Sequence, residues 1–77
     1  MEYISNRITL SETLCNGKPT IRGMRITVQT IIDFLNAGDS PEEILKQYPS
    51  LEKEDINACL LFASNLMSRN YIIRPVA

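Results

Sequence analysis

The sequence predicts a mainly α fold, with a short N-terminal β element followed by a three-helix, helix-turn-helix core. Three observations predict it. From Thr27 onward apolar residues recur at helical spacing. Helix-start signals follow one another closely, at Thr27, at Ser40-Pro41 and at Ser50. Before residue 27 the pattern is short alternation broken by Asn, Gly and Pro. Three helices with a connection of about three residues, behind a small β element, outline a helix-turn-helix domain.

Taken in order, residues 3–10 (Tyr-Ile-Ser-Asn-Arg-Ile-Thr-Leu) alternate in part. Ile8 and Leu10 share one face, with Arg7 and Thr9 on the other, and the stretch reads as one short strand. Asn16-Gly17 is a turn dipeptide, and the residue before Pro19 is biased to extended backbone. Thr20-Ile21-Arg22 reads as a second extended piece, with Gly23 free to take the positive φ of a tight turn. Residues 1–26 thus hold two short strands and two turns, too little to bury a core alone.

The helical core spans residues 27–69. Thr27 is the N-cap of the first helix, and Val28, Ile31, Ile32 and Leu35 form its inner stripe. Ala37-Gly38 ends it. Ser40 as N-cap, Pro41 at N1 and Glu43 three residues after the cap make a capping-box start for the second helix. Its inner face is Ile44, Leu45 and Tyr48, and Pro49 stops it. Ser50 opens a third and longest helix over roughly residues 52–69. Glu52, Glu54 and Asp55 suit its positive N-terminal end. Ile56, Leu60, Ala63 and Met67 form one apolar stripe, and Cys59, Phe62 and Leu66 a second. One stripe can pack on the first two helices; the other calls for a further partner. The tail, residues 70–77, is β-prone and apolar through Tyr71, Ile72, Ile73 and Val76, and is read as a possible extra strand.

Seventy-seven residues make one domain. With 44% apolar residues the chain is not a disordered tail. No apolar run reaches the roughly 20 residues of a membrane span, and no secretory signal opens the chain. There is no His, so His-based acid–base catalysis, serine or cysteine triads and most zinc sites are excluded. No cofactor is expected. Two cysteines, Cys15 and Cys59, read as reduced thiols of a cytoplasmic protein. A core this small rarely supplies more than about 3–5 kcal/mol, which points to a protein that works bound to a partner, a homodimer being the simplest case.

The net charge of −1 hides an asymmetry. Residues 1–32 carry +2, residues 33–57 carry −5 and residues 58–77 carry +2. Lys18, Arg22 and Arg25 form a basic head that either contacts DNA phosphates and base edges or pairs with the acids of the middle segment. Arg25 directly precedes the first helix and also suits a structural role. The acidic Glu52-Lys53-Glu54-Asp55 makes the third helix a poor DNA reader. Gly17-Lys18-Pro19 fails as a phosphate-binding loop, lacking the earlier Gly and the following Ser or Thr. Cys59 sits on an apolar stripe. Cys59, Phe62, Leu66, Ile72 and Ile73 are the candidate partner-binding residues.

Two stretches carry a family resemblance. They are Cys15-Asn-Gly-Lys-Pro-Thr-Ile-Arg-Gly-Met-Arg-Ile-Thr-Val28 and the run from Ala37-Gly-Asp-Ser-Pro-Glu-Glu-Ile through Tyr48-Pro-Ser-Leu to Asp55-Ile-Asn-Ala-Cys-Leu-Leu-Phe-Ala63. In order and spacing they resemble the domain-of-unknown-function 433 family from about Ile8 to Ala63. Met24 stands where that family usually has Thr, and Asn16 where Gly is common. The resemblance implies a small cytosolic bacterial, archaeal or cyanobacterial protein with a homeodomain-like helix-turn-helix core. It implies an antitoxin of VapB type, encoded beside a PIN-like ribonuclease toxin, that blocks the toxin and binds operator DNA. The alternative is a helix-turn-helix interaction module that does not touch DNA. An enzyme ranks last, because no acid–base or metal set can be assembled, and neither a membrane nor a small-molecule substrate is expected as a partner.

Overall fold

The structure, a computed structural model, describes residues 1–68. Its first ten residues form a hairpin, which corrects the single strand expected over residues 3–10. Strand β1 (Glu2–Ser5) and strand β2 (Ile8–Leu10) pair antiparallel, with Tyr3 opposite Thr9. Asn6-Arg7 turns the chain, and Arg7 takes φ +66, a left-handed conformation unusual for a long side chain. The register shifts between Tyr3 and Ser5, as a bulge beside a turn does. After a short 3-10 turn at Cys15–Gly17, strand β3 (Thr20–Ile21) adds antiparallel to β2. Asn16 takes φ +57 in that turn, a left-handed conformation that Asn tolerates.

The sheet order is β1-β2-β3. Ile8 faces Ile21 and Thr9 faces Thr20, and all four are fully buried. The two threonine hydroxyls meet at 2.8 Å, and Thr9 Oγ1 also accepts from the Gly23 N–H at 2.8 Å, so burial leaves these polar groups paired.

Helix α1 (Val28–Asn36) starts where its cap predicts, with Thr27 Oγ1 accepting from the Thr30 N–H at 3.0 Å. Gly38, at φ +103, follows its end. Helix α2 (Pro41–Gln47) carries the complete capping box. Glu43 N–H donates to Ser40 Oγ, and Ser40 N–H donates to Glu43 Oε1. The Ser40 contacts hold the Glu43 carboxyl below the usual carboxylate range. Helix α3 (Lys53–Met67) begins later than Ser50 suggests: Glu52 is its N-cap residue, and Asp55 reaches back to the Glu52 N–H at 2.7 Å.

The expected mainly α fold with a three-helix helix-turn-helix core is corrected by this sheet. The core is shared between layers: Ile8 and Ile21 from the strands are fully buried together with Ile31, Ile44, Ile56 and Cys59 from the helices. The helices do not close a core among themselves, because the sheet supplies one wall. The chain is α/β, a three-stranded antiparallel sheet followed by three helices. The possible C-terminal strand lies outside the described residues. Among the described residues no helix is long and apolar enough to cross a membrane.

Burial divides α3 along its length rather than between its two stripes. Asp55, Ile56, Ala58 and Cys59 are buried, whereas Leu60, Leu61, Leu66 and Met67 are exposed. Geometry explains this. Fifteen helical residues rise about 22 Å, against about 14 Å for the nine residues of α1 and about 10 Å for the seven of α2. Among the described residues, the far half of α3 outruns the elements that pack its near half.

Candidate functional site

Two features stand out, a charged clamp at the start of α3 and an apolar surface along its end. The clamp centres on Asp55, whose side chain is fully buried. Its Oδ1 accepts from Arg22 Nε at 2.9 Å and Arg7 Nη1 at 3.0 Å. Its Oδ2 accepts from Arg22 Nη2 at 2.8 Å and the Glu52 N–H at 2.7 Å. Arg7 Nη1 also pairs with Glu52 Oε1 at 2.8 Å, and Arg22 Nη2 donates to the Ser50 carbonyl at 3.0 Å. Burial pushes the Asp55 carboxyl up, but the Arg22, Glu52 N–H and Arg7 hydrogen bonds together outweigh it and hold the group below the usual range. Both arginines are pushed further up by their carboxylate partners and stay charged.

The backbone is bent to build this clamp. Ile21 to Met24 is a tight turn closed by Met24 N–H to the Ile21 carbonyl at 2.9 Å. Arg22 and Gly23 occupy its centre at φ +47 and φ +73, the pattern of a type I′ turn. Glycine is at home there; an arginine is not. Arg7 is likewise left-handed, and the Arg22 N–H donates to the Arg7 carbonyl at 2.9 Å. Two strained positions are thus tied back to back and aimed at one carboxylate. Met24, the departure from the family motif, packs against the core.

The predicted basic head is split by this arrangement. Arg22 is taken up by Asp55, while Lys18 and Arg25 are exposed and form no salt bridge among the described residues. The acids of the middle segment are met by Arg22 and Arg7 rather than by Arg25. Sequence reasoning missed Arg7 and the joint role of Glu52 and Asp55. The sequence carried one signal of the clamp, the segregation of a basic head from an acidic middle segment.

Among the candidate partner-binding residues, Cys59 is fully buried in the core. Burial, with the Asp55 charge nearby, pushes its thiol up to about 12, so it is neither a nucleophile nor a contact. Phe62 is half-buried against the core, and Leu66 is partly exposed. Both line an apolar groove of about 360 Å³ between α1 and α3, with Lys18 and Pro19 at its end and Val28, Ile32 and Ala63 in its walls. Ile72 and Ile73 lie outside the described residues. Both cysteines are free thiols, and among the described residues no cluster of His, Cys, Asp or Glu is placed to hold a metal ion.

A family model described as "Protein of unknown function (DUF433)" matches residues 8–63. The chain belongs to the DUF433 family. That span contains the whole clamp except the residue before β2, Arg7. The DUF433 chain is 34% identical over 56 residues to the uncharacterized protein y4eO of Sinorhizobium fredii, covering 73% of this chain and 25% of that protein. The crystal structure of a DUF433 member from Anabaena variabilis matches with a TM-score of 0.75 and 31% identity, over 80% of this chain and 61% of that one. The chain therefore spans a quarter of the length of its curated relative and about three fifths of the solved one.

Proposed function

We propose that this DUF433 chain is an antitoxin-like binding protein that docks a PIN-like ribonuclease toxin on the apolar far half of α3 and blocks it. The observation that carries the docking face is the exposure of Leu61 (60%) and Met67 (74%) with Leu60, large apolar residues on a helix that outruns its neighbours among the described residues. Such clustering on a surface helix marks an interaction site. The identity of the partner rests on what the resemblance of the two motifs to the DUF433 family implies, a likeness to antitoxins of VapB type. The test is reconstitution with a PIN-like ribonuclease encoded beside this chain. The wild-type protein should suppress RNA cleavage. Leu61→Glu with Met67→Lys should weaken suppression at least about tenfold, a loss of about 1.4 kcal/mol or more. Its thermal unfolding should stay unchanged. Full suppression by that double variant would sink the α3 face.

A second reading, operator binding, is favoured by Lys18 and Arg25, the exposed cations of the basic head. Phosphate contacts of this kind supply most non-specific affinity. The Lys18→Ala, Arg25→Ala double variant should shift its own promoter fragment at least about tenfold less well in a gel-retardation assay. If the wild-type protein retards no such fragment, the chain is an interaction module that does not touch DNA.

A further inference from the structure

We propose that Asn16-Gly17 is a site of spontaneous hydrolytic modification, deamidation of Asn16, and that local opening of the turn around it sets the rate. The pair is the one Asn-Gly step in the sequence. Asn16 is exposed, and among the described residues no atom lies within 4 Å of the place a Gly17 Cβ would take. The chemistry needs these two residues and water. The Gly17 nitrogen attacks Asn16 Cγ, a bond forms between them, and the bond from Cγ to Nδ2 breaks. Nδ2 leaves as ammonia with the Gly17 amide proton, and a five-membered imide remains. Water then opens the imide at either carbonyl. Opening at Cγ gives an aspartyl residue at position 16. Opening at the backbone carbonyl gives an isoaspartyl link that runs through the side chain. Either product places a new negative charge two residues before Lys18.

The closed turn holds this reaction off in two ways. The Gly17 N–H donates to the Leu14 carbonyl at 3.1 Å, so the attacking nitrogen is tied by the proton it must lose. At ψ 34 for Asn16, that nitrogen also lies on the far side of the Cα–C bond from the Asn16 Cβ, and the imide ring cannot close without a large rotation. The same turn is poised to open. Cys15, Asn16 and Gly17 take φ +51, +57 and +78, three consecutive left-handed residues. Gly17 is at ease there and Asn16 nearly so, but the Cys15 Cβ crowds the following carbonyl. None of the three residues is buried, so opening relieves the crowding and uncovers no core. The opening has a fixed limit on its far side. The Pro19 carbonyl accepts from the Val28 N–H at 3.0 Å, and Thr20 is fully buried against Thr9. The turn can therefore open while the sheet and α1 stay in place.

The test follows the full chain in mildly alkaline buffer by peptide mass spectrometry and isoelectric focusing. In concentrated guanidinium chloride, Asn16 should convert to acid ahead of every other asparagine, and Asn16→Gly should remove that first acidic species. In native buffer the Asn16 rate should fall at least about tenfold. Ser40→Ala separates local from global opening. It removes a cap bond on α2, away from this turn, and should populate the unfolded chain about fivefold more. The native Asn16 rate should stay within about twofold of wild type in that variant. Another asparagine converting first in denaturant would overturn the site. Equal rates in native buffer and in denaturant would overturn the protection by the turn. A rate that rises fivefold with Ser40→Ala would overturn the local opening.

Discussion

Asp55 is a wholly desolvated carboxylate that accepts four hydrogen bonds, three of them from guanidinium groups. Such an acid is expensive to bury and more expensive to orphan. Removing it strands Arg7 and Arg22, but their side chains keep 27% and 32% exposure and can turn to water. Asp55→Ala should therefore cost about 3 kcal/mol, the lower end for a broken buried pair, read as a fall in urea midpoint. The pH dependence has a fixed sign. The folded Asp55 carboxyl lies below its unfolded value, so its contribution is complete above the unfolded value, about 3.9, and fades as pH falls through the lower folded one. Wild type should lose stability below about pH 4 along a steeper acid limb than Asp55→Asn. Alkylation should label Cys15 in the native protein at pH 8 and leave Cys59 untouched, as mass spectrometry would show. The sequence showed the charge segregation that feeds this clamp, a basic head against an acidic middle. It hid the pairing, because Arg7 and Arg22 sit at left-handed turn positions where an arginine is not expected. Which cation meets which acid depends on how the turns stack, and that is a tertiary fact.

Among the elements, the helix starts were the most legible part of the chain. Thr27 and Ser40 cap as their residue types require, because capping is decided within four residues and needs no distant contact. Ser40→Ala should remove one half of the capping box and lower stability by about 1 kcal/mol in the same urea titration. The third start was displaced from Ser50 to Glu52 because the Asp55 carboxylate claims the Glu52 N–H. The two stripes of α3 were visible as periodicity, but periodicity says which face is apolar, not how far along the helix the neighbours reach. Amide exchange should report the division directly: residues 56–59 should exchange near the global unfolding limit, and residues 64–67 much faster. The hairpin of β1 and β2 was hidden for a local reason as well. Asn6-Arg7 lacks the glycine that announces a two-residue turn, so eight residues of partial alternation read as one strand.

At the scale of the molecule, the missed hairpin changed the fold class. Two paired strands contribute Ile8, and a third contributes Ile21, so the sheet becomes a wall of the core instead of an appendage to it. The family was legible throughout, because its motifs are contiguous runs of fixed spacing, and residues 8–63 carry them. The match to y4eO covers a quarter of that longer protein. The position of the clamp has one more consequence. Ionic strength acts strongly on charges in water and weakly on charges buried from it, with a screening length of about 8 Å at physiological salt. Asp55 is out of reach of added ions, whereas Lys18 and Arg25 stand in them. Titrating sodium chloride should thus leave the melting temperature nearly level while it erodes any attraction for phosphate. A binding signal that disappears in salt while the protein stays folded belongs to exposed cations such as Lys18 and Arg25, and one that survives fits the apolar end of α3.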